Sequence, residues 1–433
     1  MNAFIRAFRT PELRAKIFFT LALLAIYRLG VFVPTPGFDP TNVMVCAESA
    51  ASGQGGNVLG MVNLFSGGAL LQLSIFSLGV MPYITASIII QLLRVVIPRF
   101  EALHKEGQAG TAKLTQYTRY LTIGLALLQA TTIITLVRTG QFFVGCNLTL
   151  VPDQSLPTLI LMVVTMTVGT VLIMWFGELI TERGIGNGMS LLIFLSIAAA
   201  FPVSMGQIWQ LQGWMTFALI IMMALVVMIG VVFVEQSQRR IPVQYAKRMV
   251  GRRMYGGTST YIPIKVNQAG VIPIIFASSI LALPQLIASF RPESAWAQWI
   301  NAHLVMGFSF SWIYAAVYVA LIIFFAFFYV SITFNAEEIA DNMKKYGGFV
   351  PGVRAGKPTE RYLQYVINRI QSAGAVYLAV ISLIPLFALV YLGANQNFPL
   401  GGASLLIIIG VGLDTVKQID AKLQQHHYEG ILR

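Results

Sequence analysis

The chain has 433 residues, of which 56% are hydrophobic and 11% charged, with a formal net charge of +12. A soluble domain carries about 25% charged residues, so these charges cannot cover a water-facing surface, and the long apolar runs exclude a scattered soluble core. The positive excess would suggest nucleic acid in a soluble protein; here the placement of the charges matters more than their sum.

The first signal along the chain is Thr10-Pro11-Glu12, a helix start with Thr10 as cap and Pro11 at the first helical position. The basic leader is followed by a long apolar run without a small-residue cleavage site. This predicts no cleaved signal peptide, and a short amphipathic helix before the first span. Ten spans are expected at roughly 17–36, 77–97, 119–138, 156–176, 188–203, 215–234, 270–290, 313–334, 373–392 and 402–416. The fifth and last are short for a bilayer about 30 Å thick. A further apolar piece, 61–75, is too short and too rich in glycine (Gly67, Gly68) to cross. It reads as a re-entrant or half helix, which is tolerated only inside protein or beside a water-filled cavity.

The 29 Lys and Arg are divided unequally between the two sides. Arg28, Arg138 and Arg291 fall on one side; the other 26 lie at the N-terminus, in loops 94–119, 177–187, 235–269 and 335–372, and in the tail. The positive-inside rule then makes both termini cytoplasmic. The span interiors are nearly free of charge, since Glu178, Glu182, Glu235 and Asp414 all sit at or near span ends. A charge at mid-bilayer costs at least about 2.5–3.5 kcal/mol and usually marks function. Its absence weighs against an ion-coupled pump and favours a neutral, apolar path.

In the 235–269 loop, 240–246 and 259–265 have a strand-like pattern, with Arg252, Arg253 and Gly256-Gly257 between them. They read as a protruding hairpin-like finger with a basic tip. Such a tip suits phosphate-rich RNA, although topology alone also asks for basic loops on this side. Cys46 and Cys146 both fall in outward loops. An oxidising exterior permits a disulfide between them.

Several stretches are not explained by hydrophobicity alone: FSGGALLQLSIFSLGVMPYITASIIIQLL at 65–93, QYTRY at 116–120, GELITERGIGNGMSLLIF at 177–194, VFVEQSQRRIPVQYAKR at 232–248, NQAGVIPIIFASSI at 267–280 and NMKKYGGFVPGVRAGKPTERYL at 342–363. In order and nearly throughout, the chain resembles the SecY/Sec61-alpha family, the pore-forming subunits of Sec protein translocases. The resemblance implies an all-α polytopic membrane protein of ten transmembrane helices. They would form two pseudo-symmetric five-helix halves around a central pore, with a short plug helix. The expected division is 1–203 for the first half, 204–416 for the second and 417–433 for a cytoplasmic tail. Inverted repeats with irregular helices at the midplane recur in membrane proteins.

The resemblance assigns a pore ring to Val80, Ile84, Met189, Ile193, Ile275 and Ile407. Val80 and Ile84, like Met189 and Ile193, are four apart and share a helix face; by spacing alone they are equally ordinary packing residues. An apolar constriction offers a passing peptide no hydrogen bonds and excludes water and ions, and Met189 brings a side chain flexible enough to adapt. The plug would comprise Asn63, Phe65, Ser66, Gly67 and Gly68, against the alternative of a helix packed on the outer surface. Gly67 and Gly68 would each weaken a helix by about 1 kcal/mol relative to Ala. A lateral gate between the second, third, seventh and eighth spans takes Gln91, Asn187 and Asn267 as candidate polar contacts, with plain helix packing the alternative for each. Neutral polar pairs in a bilayer contribute about 0.6–2 kcal/mol.

Docking of the ribosome and the SecA motor is expected on Arg239, Arg240, Lys247, Arg248, Arg252, Arg253 and Arg354, the last at the family position for motor coupling. The implied partners are SecE and SecG in a heterotrimer, SecA, the ribosome, preproteins with signal sequences and membrane lipid, with SecDF and YidC beyond them. The implied location is the plasma membrane. No catalytic residue, metal or cofactor is expected. GVRAGKP at 352–358 lacks a Walker A glycine and has Pro358 where Ser or Thr should stand. The Gly-rich 184–188 follows no strand, and His426-His427 has no partner ligands. A partner must therefore supply the energy. The competing readings are a ten-span solute transporter, which would need a mid-bilayer site, and a scaffold, which would need no plug.

Overall fold

The computed structural model describes residues 10–52, 66–140, 142–143, 146, 148–245, 248–250, 253–255, 259–289, 294–304, 311–392 and 402–429. Helix α1 (Pro11–Val31) opens where Thr10-Pro11 predicts, and α2 (Pro40–Ser52) follows a turn at Gly37. Of the half helix expected over 61–75, residues 61–65 lie outside the described residues, Ser66 is helical, and 67–80 runs as turns with a bridge at Ser74. Gly67, Gly68 and Gly79 have φ of 67°, 93° and 57°, and Leu73 has 45°. Four left-handed residues in this stretch cannot propagate a right-handed helix.

Helix α3 (Met81–Val96) meets α4 (Pro98–Lys105) at a bend of 100°, where Ile97 is extended ahead of Pro98. Helices α5 (Gln108–Arg138) and α6 (Leu156–Arg183) carry many threonines. Thr118, Thr122, Thr132, Thr167 and Thr170 each donate to the carbonyl four residues back. These hydroxyls therefore need no water. Helix α7 (Gly188–Gln236) is two helices joined at Gly213, whose φ of 77° breaks the run, which matches the fifth and sixth expected spans.

The remaining helices are α8 (Ile272–Ser289), α9 (Ala295–His303), α10 (Trp312–Thr333), α11 (Ala336–Lys345), α12 (Lys357–Leu392) and α13 (Gly402–Glu429). Among the described residues, five helices are long and apolar enough to cross a membrane, and the bent α3–α4 pair would be a sixth. Gly188–Pro202 and Ile272–Leu281 are shorter apolar helices. The expected first and last spans overlap α1 and α13, which also carry charged residues.

The finger is present. Strand β1 (Gln238–Tyr245) pairs antiparallel with β4 (Ser259–Lys265), from Gln238 opposite Lys265 to Gln244 opposite Ser259. Between them, β2 (Arg248–Val250) and β3 (Arg253–Tyr255) form a small ribbon. Strand β5 (Gly348–Phe349) adds to the other edge of β1. Large apolar side chains such as Phe18, Leu29, Val226, Ile229, Phe233, Phe324 and Val380 are exposed, as a chain solvated by lipid requires.

Candidate functional site

The six ring residues come from α3, α7, α8, α13 and the turn ahead of α3, and they meet in one apolar cluster. Val80, Ile193 and Ile407 are buried in it, and Ile84, Met189 and Ile275 pack against it. Tyr27, Val31, Ala69, Phe76, Ile173 and Phe176 complete its inner side. Each aliphatic chain fully removed from a polar environment contributes roughly 1.5–3 kcal/mol, so the cluster holds α8 and α13 against α3 and α7.

A cavity of about 430 Å³ adjoins the cluster, with Ile84, Met189, Ile193 and Ile275 in its lining. One wall is apolar, with Ile84, Ile88, Ile272, Ile275 and Phe276; the other carries Gln91, Arg119, Glu178, Thr181, Glu182 and Asn187. Arg119 grips Glu178 with two bonds, Nε to Oε1 at 2.9 Å and Nη2 to Oε2 at 2.8 Å, and gives Nη1 to Gln116. This fork ties α5 to α6, the geometry in which guanidinium and carboxylate bind most firmly.

The seam between α3 and α8 is apolar. Ile88, Phe276 and Phe325 are buried there, flanked by Ile84, Leu92, Ile272, Ile280, Leu321 and Phe328. The three gate candidates do not meet one another across it. Gln91 donates to Ser87 within its own helix at 3.3 Å. Asn187 caps α7, accepting from the amides of Met189 and Ser190. Asn267 is 3% exposed and donates to Glu235 at 2.6 Å and to the Gly270 carbonyl at 3.2 Å. The polar contact that does cross from α3 to α10 is Arg94 Nη2 to the Ile332 carbonyl at 3.3 Å. Sequence counting had assigned Arg94 to topology, because an arginine at a span end looks the same whether or not a carbonyl awaits it.

Of the plug residues, Asn63 and Phe65 lie outside the described residues; Ser66 is fully buried and its hydroxyl accepts from the Leu70 amide. The 66–80 turns are held by the outer end of α1. The Ile75 amide donates to Val33, the Thr35 amide to Leu73, and Pro34 bridges Ser74. Phe76 stacks on Tyr27 with centroids 5.7 Å apart, above Gly30, where any β-carbon would collide with the Phe76 ring. Tyr27 in turn shares a 2.8 Å hydrogen bond with Ser196 of α7, and both are fully buried. Arg28 Nη1 donates to the Gly67 carbonyl at 2.6 Å.

Arg239 and Arg240 are exposed on β1, and Arg240 stacks its guanidinium 4.8 Å above the Tyr261 ring. Arg248 and Arg253 lie in β2 and β3, whereas Lys247 and Arg252 lie outside the described residues. Arg354 is exposed in the turn between β5 and α12, where its carbonyl accepts from Thr359. Because β5 joins the finger sheet and Ile241, Val243, Ile264, Met343, Val350 and Leu363 share one core, the finger base and the 335–356 region form one rigid platform. The tail continues α13, with Ile419 and Leu423 packed on Leu13, Ile17 and Ile185. Cys46 and Cys146 are joined as a disulfide, Cα atoms 5.6 Å apart, within the apolar cluster that also holds Leu70, Leu73 and Leu78. Among the described residues, no group of His, Cys, Asp or Glu is arranged to hold a metal.

Comparison with known proteins gives one consistent result. The SecY family model matches residues 74–416. The protein translocase subunit SecY of Streptomyces coelicolor is 60% identical, and those of Micrococcus luteus and Mycobacterium tuberculosis are 57% and 55% identical, each over the full length of both chains. Among solved structures, a protein-conducting channel aligns with a TM-score of 0.60 at 16% identity, covering 93% of this chain and 91% of that one. Sec61 in the canine ribosome-channel complex aligns at 0.56 and 16%, with the same coverage.

Proposed function

This chain belongs to the SecY family of protein translocase subunits, and from that premise we propose that it is a passive, gated channel for unfolded preproteins. Preproteins pass outward through the apolar ring, and hydrophobic segments leave sideways into lipid along the α3–α8 seam. The observation that carries this reading is the convergence of Val80, Ile84, Met189, Ile193, Ile275 and Ile407 from both halves into one apolar cluster, four of whose members line a cavity with apolar and polar side chains. An apolar constriction seals against ions while offering a peptide nothing to bind. Residues 66–75, the described part of the 61–75 piece, act as the plug beneath the outer mouth.

Both termini face the cytoplasm of a cell bounded by the plasma membrane, in keeping with the charge asymmetry. The platform of β1, β4, β5 and Arg354 docks the ribosome and the SecA motor, and SecE and SecG complete the heterotrimer. SecDF, YidC and the surrounding lipid are further partners. Energy comes from the motor or the ribosome, so the chain is no enzyme. The test is import of a secretory precursor into vesicles containing this chain, SecE, SecG and SecA. ATP-dependent protection of the precursor from protease is expected, and its absence would count against the channel reading.

A further inference from the structure

We propose that Arg28 is the latch of the closed channel, fastening the 66–80 segment to the outer end of α1 through the Gly67 carbonyl. The inference rests on reading the 66–75 part of that segment as the plug. The positive-inside reading leaves Arg28 with only Arg138 and Arg291 on its side, and it is half-buried. Its Nη1 donates to the Gly67 carbonyl at 2.6 Å, and its guanidinium carbon lies 5.1 Å from the centroid of the Phe32 ring, one turn further along α1. A charged donor makes a shorter and roughly twofold stronger bond than a neutral one. The ring below fixes the guanidinium plane.

The surroundings explain why one bond can act as a latch. Gly67 has φ of 67°, and a β-carbon there would lie 3.0 Å from Ser196 Cα and 3.3 Å from Arg28 Nη1. The Gly67 backbone is therefore wedged between α7 and the arginine. The other attachments of the segment to α1 are the Val33, Pro34 and Thr35 backbone contacts and the Phe76–Tyr27 stack, and all engage residues 73–76. Arg28 alone, among the contacts described between α1 and the segment, grips its beginning. The hydroxyls of Thr35, Ser74 and Ser77 are buried with no hydrogen-bond partner among the described residues, so hydration on release offsets part of the lost packing. The segment is thus tied to the end of α1 at both its ends, and at its beginning through one side chain. Arg28 is a positioning residue: it touches the plug, not the passing chain.

The experiment compares wild type, Arg28→Gln and Arg28→Lys in vesicles, reading ion leak without precursor and ATP-driven import with it. Arg28→Gln should raise resting leak about tenfold, the shift that ~1.4 kcal/mol makes in a two-state equilibrium. It should also import precursors with weakened signal sequences that wild type rejects. Arg28→Lys keeps a charged donor on a less well matched stem and should leak at a level between the two. Wild-type import with no added leak in Arg28→Gln overturns the latch alone; failure of wild-type import removes the channel reading, and the latch with it. Should Arg28→Gln not assemble, Arg28→Lys decides, and leak no higher than wild type overturns the proposal.

Discussion

At the scale of single residues, the apolar cluster gives the sharpest expectation. Ile407 is 2% exposed and Ile275 packs beside it. An amide placed there without a partner costs roughly 1–3 kcal/mol by protein mutational standards. Ile407→Asn or Ile275→Asn should therefore raise ion leak and relax signal-sequence stringency; unchanged conductance and unchanged selectivity would dissociate these residues from the seal. That these six residues share one apolar cluster was expected only through the family resemblance, because their four-residue spacing is that of any packed helix. Arg28 shows the opposite limit. Counting charges marked it as an outlier on its side, but its acceptor is a backbone carbonyl 39 residues away, and no pattern of residue types announces a carbonyl.

At the scale of elements, the hairpin and the first helix start followed from local chemistry. The strand-like runs gave β1 and β4, and Thr10-Pro11 opens α1; Pro40, Pro98 and Ser311, not singled out in the sequence, also stand at helix starts. Of the half helix expected at 61–75 only 66–75 is described: Ser66 is helical, and from there Gly67, Gly68 and the left-handed Leu73 dictate turns where hydrophobicity suggests a helix. The gate candidates likewise illustrate how polar side chains are spent locally before they reach a neighbour. Asn187 serves its own helix start, and Asn267 pins the end of α7 to the turn before α8. That pin joins the base of the finger to a helix lining the seam. Asn267→Ala strands the Glu235 carboxylate and should lower stability by about 1–3 kcal/mol, read as an earlier thermal transition in detergent. Asn267→Asp, which adds a like charge against Glu235, should be worse still. Equal melting of all three proteins would show that the bond contributes nothing.

At the scale of the whole molecule, the two halves touch through apolar surface, with few polar ties. Arg94 crosses from α3 to the last turn of α10, where it meets the negative end of the helix dipole. A cation at a helix C-terminus contributes roughly 0.3–1 kcal/mol, enough to bias a seam without locking it. Arg94→Gln should let precursors with shortened apolar cores enter faster relative to strong ones. If that ratio does not move, Arg94 serves orientation only. Elsewhere the halves are stapled away from the seam: Lys422 donates to the Gly184 carbonyl at 3.3 Å, and the tail packs on Leu13 and Ile185. The Cys46–Cys146 bond adds a different kind of constraint. It closes a circle of chain with a sequence separation of 100, and the whole 66–80 segment, with α3, α4 and α5, lies inside it. Whatever the segment does when the channel opens, it moves on a string whose ends are knotted together. A single cut anywhere in that circle leaves the protein in one covalent piece until a reductant reaches the sulfurs.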